Sequence, residues 1–539
     1  MTGNLSSPVS DARGKRARAP ARGVMRGGLA GWAAVAVPLL LIVAPIAALL
    51  AAAPAEFRFG RYEGAALRFT LLQATLSAAL SGLLAIPLAR ALARRRFPGR
   101  AMLTVLLGAP FVLPAIVAVL GLTAIWGRAG PVSDALAALG AARLDIYGLG
   151  GVVLGHVFFN LPLVTRMLVQ GWAAVPPEHW RLASHLGMSP AAIARHIERP
   201  ILREVLPGAL LLVFLLSMTS FAVALTLGGG PAASTLEVAI YEAVRFDFAP
   251  GRAAVLGAMQ LALGAALAVA LLFAGRATGF EPGLQTVPQA MPASLASRHA
   301  RLTDGLAIFI GAAFLIAPLA AVALRGAPGL IGGLPDAVWE AAAVSLALAG
   351  PAALLSLVLA MGIASLTLDL GGNRGRAVEA IGLIGLATSP LVLGSGLFLL
   401  LRPVVDPFAL ALPVTVLVNA AMSLPFALRL MLPAYARLRD HDARLADSLG
   451  MAGWARLRLV TWPALRRPAG VALGLAAALS AGDLGVIALF APPQTATLPL
   501  EIYRLMGAYR MDDAMGAAFL LLLLSLGLFW LTGRLGGRS

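Results

Sequence analysis

The sequence has no cysteine and a single lysine, Lys15, among its 539 residues. The absence of cysteine excludes disulfides and thiolate metal sites. A phosphate-binding loop of the form G-x(4)-G-K-[ST] requires a lysine, and the surroundings of Lys15 do not fit it, so ATP hydrolysis through that motif is excluded. The 6 histidines show no metal-binding spacing, and no G-x-S-x-G nucleophile motif occurs. We therefore expect no catalytic residue, no metal and no cofactor in this chain.

Charged residues are also scarce, at 12%, whereas 59% of the residues are hydrophobic and the mean hydropathy is +0.86. This balance excludes an ordinary soluble domain. Apolar runs long enough to cross a bilayer core of roughly 30 Å recur along the whole chain. They predict an all-α polytopic membrane protein with twelve transmembrane helices, at 29–53, 66–90, 102–126, 148–170, 204–228, 252–275, 305–325, 337–367, 378–401, 408–431, 468–490 and 515–533.

The distribution of arginine indicates how the chain is oriented. The formal net charge is +17, but the charge lies in short loops between the spans, so we expect no nucleic-acid partner. A basic segment, 1–28, precedes the first span, and most of the Lys and Arg fall on its side of the membrane. Both termini are therefore expected in the cytoplasm. We interpret the run Arg94-Arg95-Arg96 as a topology signal that also contacts anionic membrane lipid.

One polar segment between spans occurs twice. RLASHLGM at 181–188 recurs as RLADSLGM at 444–451, and the same offset of 263 residues relates Ser217 to Ser480. An internal repeat of this size indicates two copies of one structural unit. We expect a first half at 29–275 with its core at 66–273, a cytoplasmic linker at 276–304, and a second half at 305–539 with its core at 337–533. An even number of spans in each half makes the two repeats parallel.

The repeated segment has the pattern of a short docking helix. Three apolar residues fall on one helical face in each copy, namely Leu182, Ala183 and Leu186 in the first and Leu445, Ala446 and Leu449 in the second. Gly187 and Gly450 permit a sharp change of direction, and Pro200 and Pro463 predict a break before the next span. Such a helix, held outside the membrane by its flanking spans, is suited to transmit force from a bound partner. The alternative is an amphipathic helix that rests on the membrane surface.

The spacing after each glycine resembles a family motif. Ile197-Glu198-Arg199-Pro200 follows Gly187 after nine residues, and Val460-Thr461-Trp462-Pro463 follows Gly450 in the same way. This resembles E-A-A-x(3)-G-x(9)-I-x-L-P, the motif of the permeases of binding-protein-dependent ABC importers. Both copies depart from it where Arg181 and Arg444 replace glutamate and where leucine replaces the first alanine. These departures remove the basis for a salt bridge from that glutamate.

Longer stretches are similar to the thiamine branch of this family, in which both halves are fused. They are RRRFPGR at 94–100, HVFFNLP at 156–162, LGGGP at 227–231, TLEVAIY at 235–241 and LSAGDLGV at 479–486. The resemblance implies a type I importer permease fold in the bacterial inner membrane, two copies of a separate ATPase that binds ATP and Mg, and a periplasmic thiamine-binding protein. The alternatives are a fused permease for iron(III) or another small solute, and a secondary transporter without an ATPase.

The resemblance also assigns residues to ATPase coupling. They are Arg181, Leu182, Ala183, Leu186, Gly187, Pro200, Arg444, Leu445, Ala446, Leu449, Gly450 and Pro463. On the outer side, TLEVAIY at 235–241 is echoed by TLPLEIY at 497–503, and each is interpreted as a turn followed by a short surface helix. Thr235, Tyr241, Thr497 and Tyr503 are the candidate contacts with the binding protein. The alternative is a loop that only covers the lobe.

Asp483 is the most prominent polar side chain inside a predicted span, in the outer half of the bilayer. A carboxylate there is costly unless it is paired or wetted, which makes it a candidate contact for the thiazolium cation of thiamine. Pairing with an arginine such as Arg252 or Arg504 explains it equally well. The remaining pathway candidates, for which hydrogen bonding between helices is an adequate alternative, are His156, Asn160, Gln260, Ser217 and Ser480.

Overall fold

The computed structural model describes residues 28–53, 60–230, 233–273, 298–439, 446, 448–451, 453–492 and 495–537. Within these ranges the chain is helical and contains no β-strand, which confirms the expected all-α class. The basic segment 1–28, apart from Gly28, lies outside the described residues, and so does the linker up to residue 297. Residues 298–304 are already helical, so the linker ends earlier than expected.

The first half is a succession of long and short helices. They are α1 (Leu29–Ala51), α2 (Arg61–Arg94), α3 (Arg100–Leu106), α4 (Ala115–Trp126), α5 (Pro131–Ala138), α6 (Leu149–Ala173), α7 (Pro177–His185), α8 (Pro190–Ile193), α9 (Arg199–Met218), α10 (Ala222–Leu227), α11 (Leu236–Arg245) and α12 (Pro250–Phe273). The second half contains α13 (Arg298–Gly332), α14 (Asp336–Leu370), α15 (Gly372–Leu383), α16 (Pro390–Leu401), α17 (Ala411–Arg437), α18 (Gly453–Arg456), α19 (Trp462–Ala481), α20 (Gly485–Phe490), α21 (Leu498–Gly507) and α22 (Met511–Gly537).

The number of membrane-spanning helices agrees with the expectation. Within the described residues, 11 helices are long and apolar enough to cross a membrane, and there are 12 spans if the bent pair Gly372–Ala387 and Pro390–Leu401 counts as one. The chain is therefore a multi-pass membrane protein.

Four of the expected spans are not continuous helices. The spans expected at 204–228 and 468–490 are interrupted between α9 and α10 and between α19 and α20. The span expected at 102–126 is interrupted between α3 and α4, where a short 3-10 turn, Ala109–Phe111, precedes Pro114. The span expected at 378–401 bends by 93° between the 3-10 turn at Ile384–Ala387 and α16. Proline has no N–H to continue a helix but suits a helix start, and Pro114 and Pro390 stand at the starts of α4 and α16. Hydropathy alone does not register such breaks.

The two halves repeat the same polar contacts between helices. The backbone N–H of Leu236 donates to Thr70 Oγ1 at 2.9 Å, and that of Leu498 donates to Ser345 Oγ at 2.8 Å. Each bond ties the start of a short helix, α11 or α21, to a long one, α2 or α14. Hydroxyl groups are common partners for such donors inside a membrane, where water is absent. The duplication expected from the sequence is therefore also a duplication of contacts.

The first helix of each half packs on the other half. α1 lies against α14 and α16, and α13 lies against α2 and α4 as well as α22. At the two crossings a glycine meets a proline carbonyl group: Gly396 of α16 approaches Pro45 of α1, and Gly121 of α4 approaches Pro318 of α13. A Cβ at either glycine would collide with that carbonyl oxygen, so only glycine permits these crossings. Each half therefore packs the first helix of the other half against its own helices, which interlocks the two halves.

The parallel repeat places the two copies of the docking segment on one face, which we call the coupling face. The turns that precede α12 and α22 lie on the opposite face. We predict that single cysteines at Ser184 and Ser448, both exposed on the coupling face, are protected from an impermeant thiol reagent in whole cells. Cysteines at Phe248 and Tyr509, which are 77% and 91% exposed, label under the same conditions. The chain has no cysteine of its own, so the unmodified protein is the control. Labelling of Ser184→Cys from outside contradicts the expected orientation.

Candidate coupling and translocation sites

Helix α7 presents two leucines to solvent and packs its other face on the protein. The side chains of Leu182 and Leu186 are 57% and 68% exposed, whereas Trp180 and Ala183 are buried. The exposed leucines border a surface groove of about 330 Å³ between α7 and the following helix. Ala183 lines the same groove as the two leucines, as expected, but its side chain is buried, so only the leucines are exposed. Arg181 is exposed beside them.

The second copy repeats this division as far as the structure describes it. Ala446 is buried and Leu449 is 66% exposed, as their counterparts Ala183 and Leu186 are. Arg444 and Leu445 lie outside the described residues. Each half therefore places a leucine of the same register on the coupling face.

Both docking segments end on a glycine in a left-handed conformation. The φ angle is +59° at Gly187 and +64° at Gly450. In each case the next residue closes the turn, because the N–H of Met188 donates to Ala183 O at 3.0 Å and that of Met451 to Ala446 O at 2.9 Å. This arrangement is a typical glycine helix end. No atom lies within 4 Å of a Cβ added at either position, so a larger residue is opposed by backbone strain rather than by a collision.

Pro200 and Pro463 do not interrupt the helix, contrary to the expectation of a break before the next span. Each lies in the first turn of a long helix, α9 or α19, that continues directly from a five-residue π-helical segment, Ala194–Glu198 or Leu457–Thr461. A π-helical turn is wider than an α-helical turn and accommodates the irregular hydrogen bonding that a proline imposes. The docking segment is thus joined to the span behind it by continuous helix.

An ion-pair cluster on the coupling face was missed by the sequence analysis. Glu198, which is buried, accepts from Arg94 at 2.8 Å and forms an ion pair with Arg90 at 3.0 Å. Arg95 pairs with Asp304 of α13 at 2.7 Å. The interpretation of the arginine run as a lipid contact is therefore wrong for Arg94 and Arg95, which are held by carboxylates of the protein. The sequence shows that Arg90 and Arg94 share a helical face, but nothing in it identifies Glu198, 104 residues after Arg94, as their partner.

A cavity of about 980 Å³ lies between the two halves. Residues of α6, α9 and α12 line one side, and residues of α15 and α17 line the other. Two of the expected pathway residues, His156 and Asn160, line it, together with Ser220 and Arg429, and the rest of its described lining is apolar. Aromatic rings reach it from both halves, Phe159 from α6 and Phe426 from α17.

Ser217 and Ser480 occupy a different position. Neither lines the cavity; Asn160 donates to Ser217 Oγ at 3.1 Å, and Asn419 donates to Ser480 Oγ at 3.1 Å. The alternative explanation for these serines, hydrogen bonding between helices, is the one that the structure displays. At the offset of 263 residues the counterpart of Asn419 is His156, so the two halves make the same bond from positions one helical turn apart.

Asp483 lies in the break between α19 and α20 rather than inside a helix. Its Oδ1 accepts from the N–H of Gly485 at 3.2 Å, and its Oδ2 is buried without a partner among the described residues. The suggested pairing with arginine is wrong. Arg252 is engaged by Glu63 at 2.9 Å and by Asp247 at 2.8 Å, and Arg504 lies 3.6 Å from Glu501.

Another buried carboxylate, Glu237, was also missed. It is fully buried at the start of α11, where Ser389 donates to its Oε2 at 2.7 Å and Gln260 donates to its Oε1 at 3.0 Å. Ser389 also caps α16 by accepting from the N–H groups of Leu391 and Val392. Glu237 therefore joins α11 and α12 of the first half to the bend before α16 in the second. The hydrogen bond from Gln260 to Glu237 is the alternative that was given to a pathway role for Gln260.

The expected contacts of the outer helices point into the protein. Thr235, Tyr241 and Thr497 are buried and Tyr503 is half-buried, so the prediction that these residues meet a soluble partner is wrong for the three buried ones. Thr235 caps α11, and Tyr241 packs edge-on against Phe221 with ring centroids 5.2 Å apart. In amphipathic helices such as α11 and α21, the larger apolar side chains belong to the face that packs on the core.

Two aromatic side chains in the adjoining turns are exposed instead. Phe248 before α12 and Tyr509 before α22 are 77% and 91% exposed, and both have positive φ, +49° and +60°. A non-glycine residue in this conformation is uncommon and costs free energy. The same conformation at matching turns of the two halves marks these rings as a repeated surface feature of the opposite face.

Two interlocked bundles, a cavity between them and a glycine-ended docking helix from each half define the transmembrane permease subunit of a binding-protein-dependent ABC importer. No family model matches the chain. The thiamine transport system permease protein ThiP of Brucella abortus (strain 2308) is 42% identical over 485 residues, 89% of this chain and 89% of that protein. The proteins of the same name from Escherichia coli (strain K12) and Haemophilus influenzae are 38% identical over 482 residues and 33% identical over 470 residues. They cover 88% and 85% of this chain, and the matches take in 89% and 86% of those proteins. The chain belongs to the family of thiamine transport system permease proteins.

The ion pairs of Glu198 generate a stability prediction. Glu198→Ala leaves the buried guanidinium of Arg94 without its carboxylate partner, and we expect a loss of about 3 kcal/mol of stability. The measurement is the apparent midpoint of thermal unfolding of the purified protein in detergent. Thr461, at the corresponding position of the second half, is half-buried, so Thr461→Ala is the matched control and should leave the midpoint nearly unchanged. An equal midpoint for both variants contradicts a structural role for the ion pairs.

Proposed function

We propose that this chain is the permease subunit of an ATP-driven importer of thiamine and its phosphates. The observation that carries the proposal is the match to thiamine permeases over 89% of the chain. The paired docking segments are consistent with it, because a carrier that needs no ATPase has no use for two of them. The chain contributes the pathway and no catalysis, and hydrolysis of ATP belongs to a separate subunit. Both termini lie in the cytoplasm, on the side of the coupling face.

Two copies of an ATPase dock on the coupling face, one at each segment. Leu182 and Leu186 of α7 and Leu449 of the second copy supply the apolar contact, since they are large apolar side chains exposed on that face. The glycine ends fix the direction of each helix, and the π-helical segments transmit a displacement of the docking helix to α9 and α19. ATP and Mg are bound by the partner.

Four helix breaks meet between the cavity and the opposite face, and they supply the gate for alternating access. Gly482 in the break after α19 packs directly on Pro114, and Gly485 lies beside Pro390 and Phe221. Helix segments that are already interrupted pivot without breaking further hydrogen bonds, whereas continuous helices do not. A periplasmic thiamine-binding protein delivers the solute at the opposite face, and Phe248 and Tyr509 are its contacts in place of the buried residues.

The first prediction of this proposal concerns docking. Leu186→Glu and Leu449→Glu each place an unpaired charge in an apolar contact, which should weaken ATPase binding by about tenfold or more at that site. The measurement is recovery of the ATPase with the tagged permease, together with uptake of labelled thiamine. Leu139→Glu is the control, because Leu139 is 83% exposed and lies away from the coupling face. Normal ATPase recovery with the double variant contradicts the assignment of these leucines.

The second prediction concerns Asp483. Its Oδ2 is buried at the gate without a partner among the described residues, and opening of the gate would expose it to a cationic solute. Asp483→Asn should therefore slow thiamine uptake several-fold without lowering the amount of assembled complex. Asp406→Asn, at an exposed position, is the control. Uptake at the wild-type rate removes Asp483 from the pathway, and a loss of assembled complex assigns it a structural role instead.

A further inference from the structure

Arg429 of α17 is the one charged side chain among the described residues that line the cavity between the halves. It is half-buried, and it makes no hydrogen bond or ion pair with any other residue that the structure describes. A guanidinium group presents five N–H donors and must have them satisfied by water or by an anion. Against an apolar wall this requirement is stronger, because an unsatisfied charge is costly in a low dielectric. The site is therefore suited to an anionic group that enters the cavity.

A topological role does not account for the position of Arg429. Residues that set the orientation of a span lie at its end, but Arg429 lies about 12 Å along α17 from the last residue of that helix. The repeat provides an internal comparison, because Arg166 occupies the corresponding position in α6. Arg166 is only 3% exposed and has a partner within the protein. The same residue is thus enclosed in the first half and turned to the cavity in the second.

We propose that Arg429 binds the phosphate of a phosphorylated solute in this cavity, while the aromatic part of the solute lies against Phe159 and Phe426. A guanidinium matches a phosphate with two parallel N–H···O bonds, which is the strongest neutral-pH contact that such a wall offers. Aromatic rings at 159 and 426 provide apolar faces for a planar heterocycle. This inference rests on the proposed function and adds to it that phosphate esters of thiamine, unlike thiamine itself, have a dedicated contact in the permease.

The test compares two solutes in proteoliposomes that contain the permease, its ATPase and the binding protein. The binding protein is loaded to saturation with thiamine or with thiamine pyrophosphate, so that its own preference does not enter. For Arg429→Gln we expect uptake of the pyrophosphate to fall about tenfold while uptake of thiamine changes less than about twofold. Arg429→Lys keeps the charge but cannot form two parallel N–H···O bonds to the phosphate, and it should give an intermediate result. Arg437→Gln, at an exposed position two turns farther along α17, should change neither rate.

The outcomes separate this inference from the function on which it rests. A wild-type complex that imports neither solute refutes the proposed function, whereas the inference concerns only the ratio of the two rates. Equal losses of both solutes in Arg429→Gln, or no loss of either, overturn the phosphate contact. A third arm adds millimolar inorganic phosphate on the ATPase side. The site is assigned to free phosphate if phosphate slows thiamine uptake by the wild type but not by Arg429→Gln, and if ester uptake by the variant is unchanged. That outcome overturns a role for Arg429 in the solute pathway.

Discussion

The structure depends on the contact of a helix backbone with a glycine at two crossings, Pro45 on Gly396 and Pro318 on Gly121. Through them, α1 is built into the second half and α13 into the first. Packing between helices in a bilayer has no hydrophobic driving force, so close backbone approach supplies the attraction. Because each half holds a helix of the other, the halves cannot separate as rigid bodies. Movement must take place inside this frame, at the helix breaks that surround the cavity.

Polar groups inside this frame are arranged in pairs between helices. Asn160 with Ser217 and Asn419 with Ser480 hold α6 to α9 and α17 to α19 by equal bonds of 3.1 Å. Glu237 adds a connection that the second half lacks at the corresponding position, which Pro499 occupies. The scaffold is therefore close to twofold, while its charged side chains are not. Asp483 and Glu237 each occur on one side only, and the counterpart of Arg429, Arg166, is enclosed by the protein, which suits a solute that is itself asymmetric.

The spans, the parallel repeat and the glycine ends of the docking segments were predictable because they are local properties of the sequence. Apolar length predicts a span, and a duplicated octapeptide predicts a duplicated element. The partners of the buried charges were not predictable, because Glu198 meets Arg94 and Glu237 meets Ser389 only through tertiary packing. The same reason explains the error at the outer helices. Tyr241 and Phe248 are both aromatic, and only the fold decides that one is enclosed and the other exposed.

The clamp at Glu198 makes the two ends of the coupling face mechanically unequal. In the first half, Arg90 and Arg94 of α2 pair with Glu198 in the helix that follows α7. Arg95, at the end of α2, pairs in turn with Asp304 of α13. At the corresponding position of the second half stands Thr461, and on that side a hydrogen bond from Arg439 to the carbonyl oxygen of Leu368 joins the segment to α14. A displacement of α7 is thus passed through ion pairs to α2 of the first half and to α13 of the second half. On the side of the second segment the link described is a hydrogen bond to α14, so the two docking segments are attached to the helices around them in different ways.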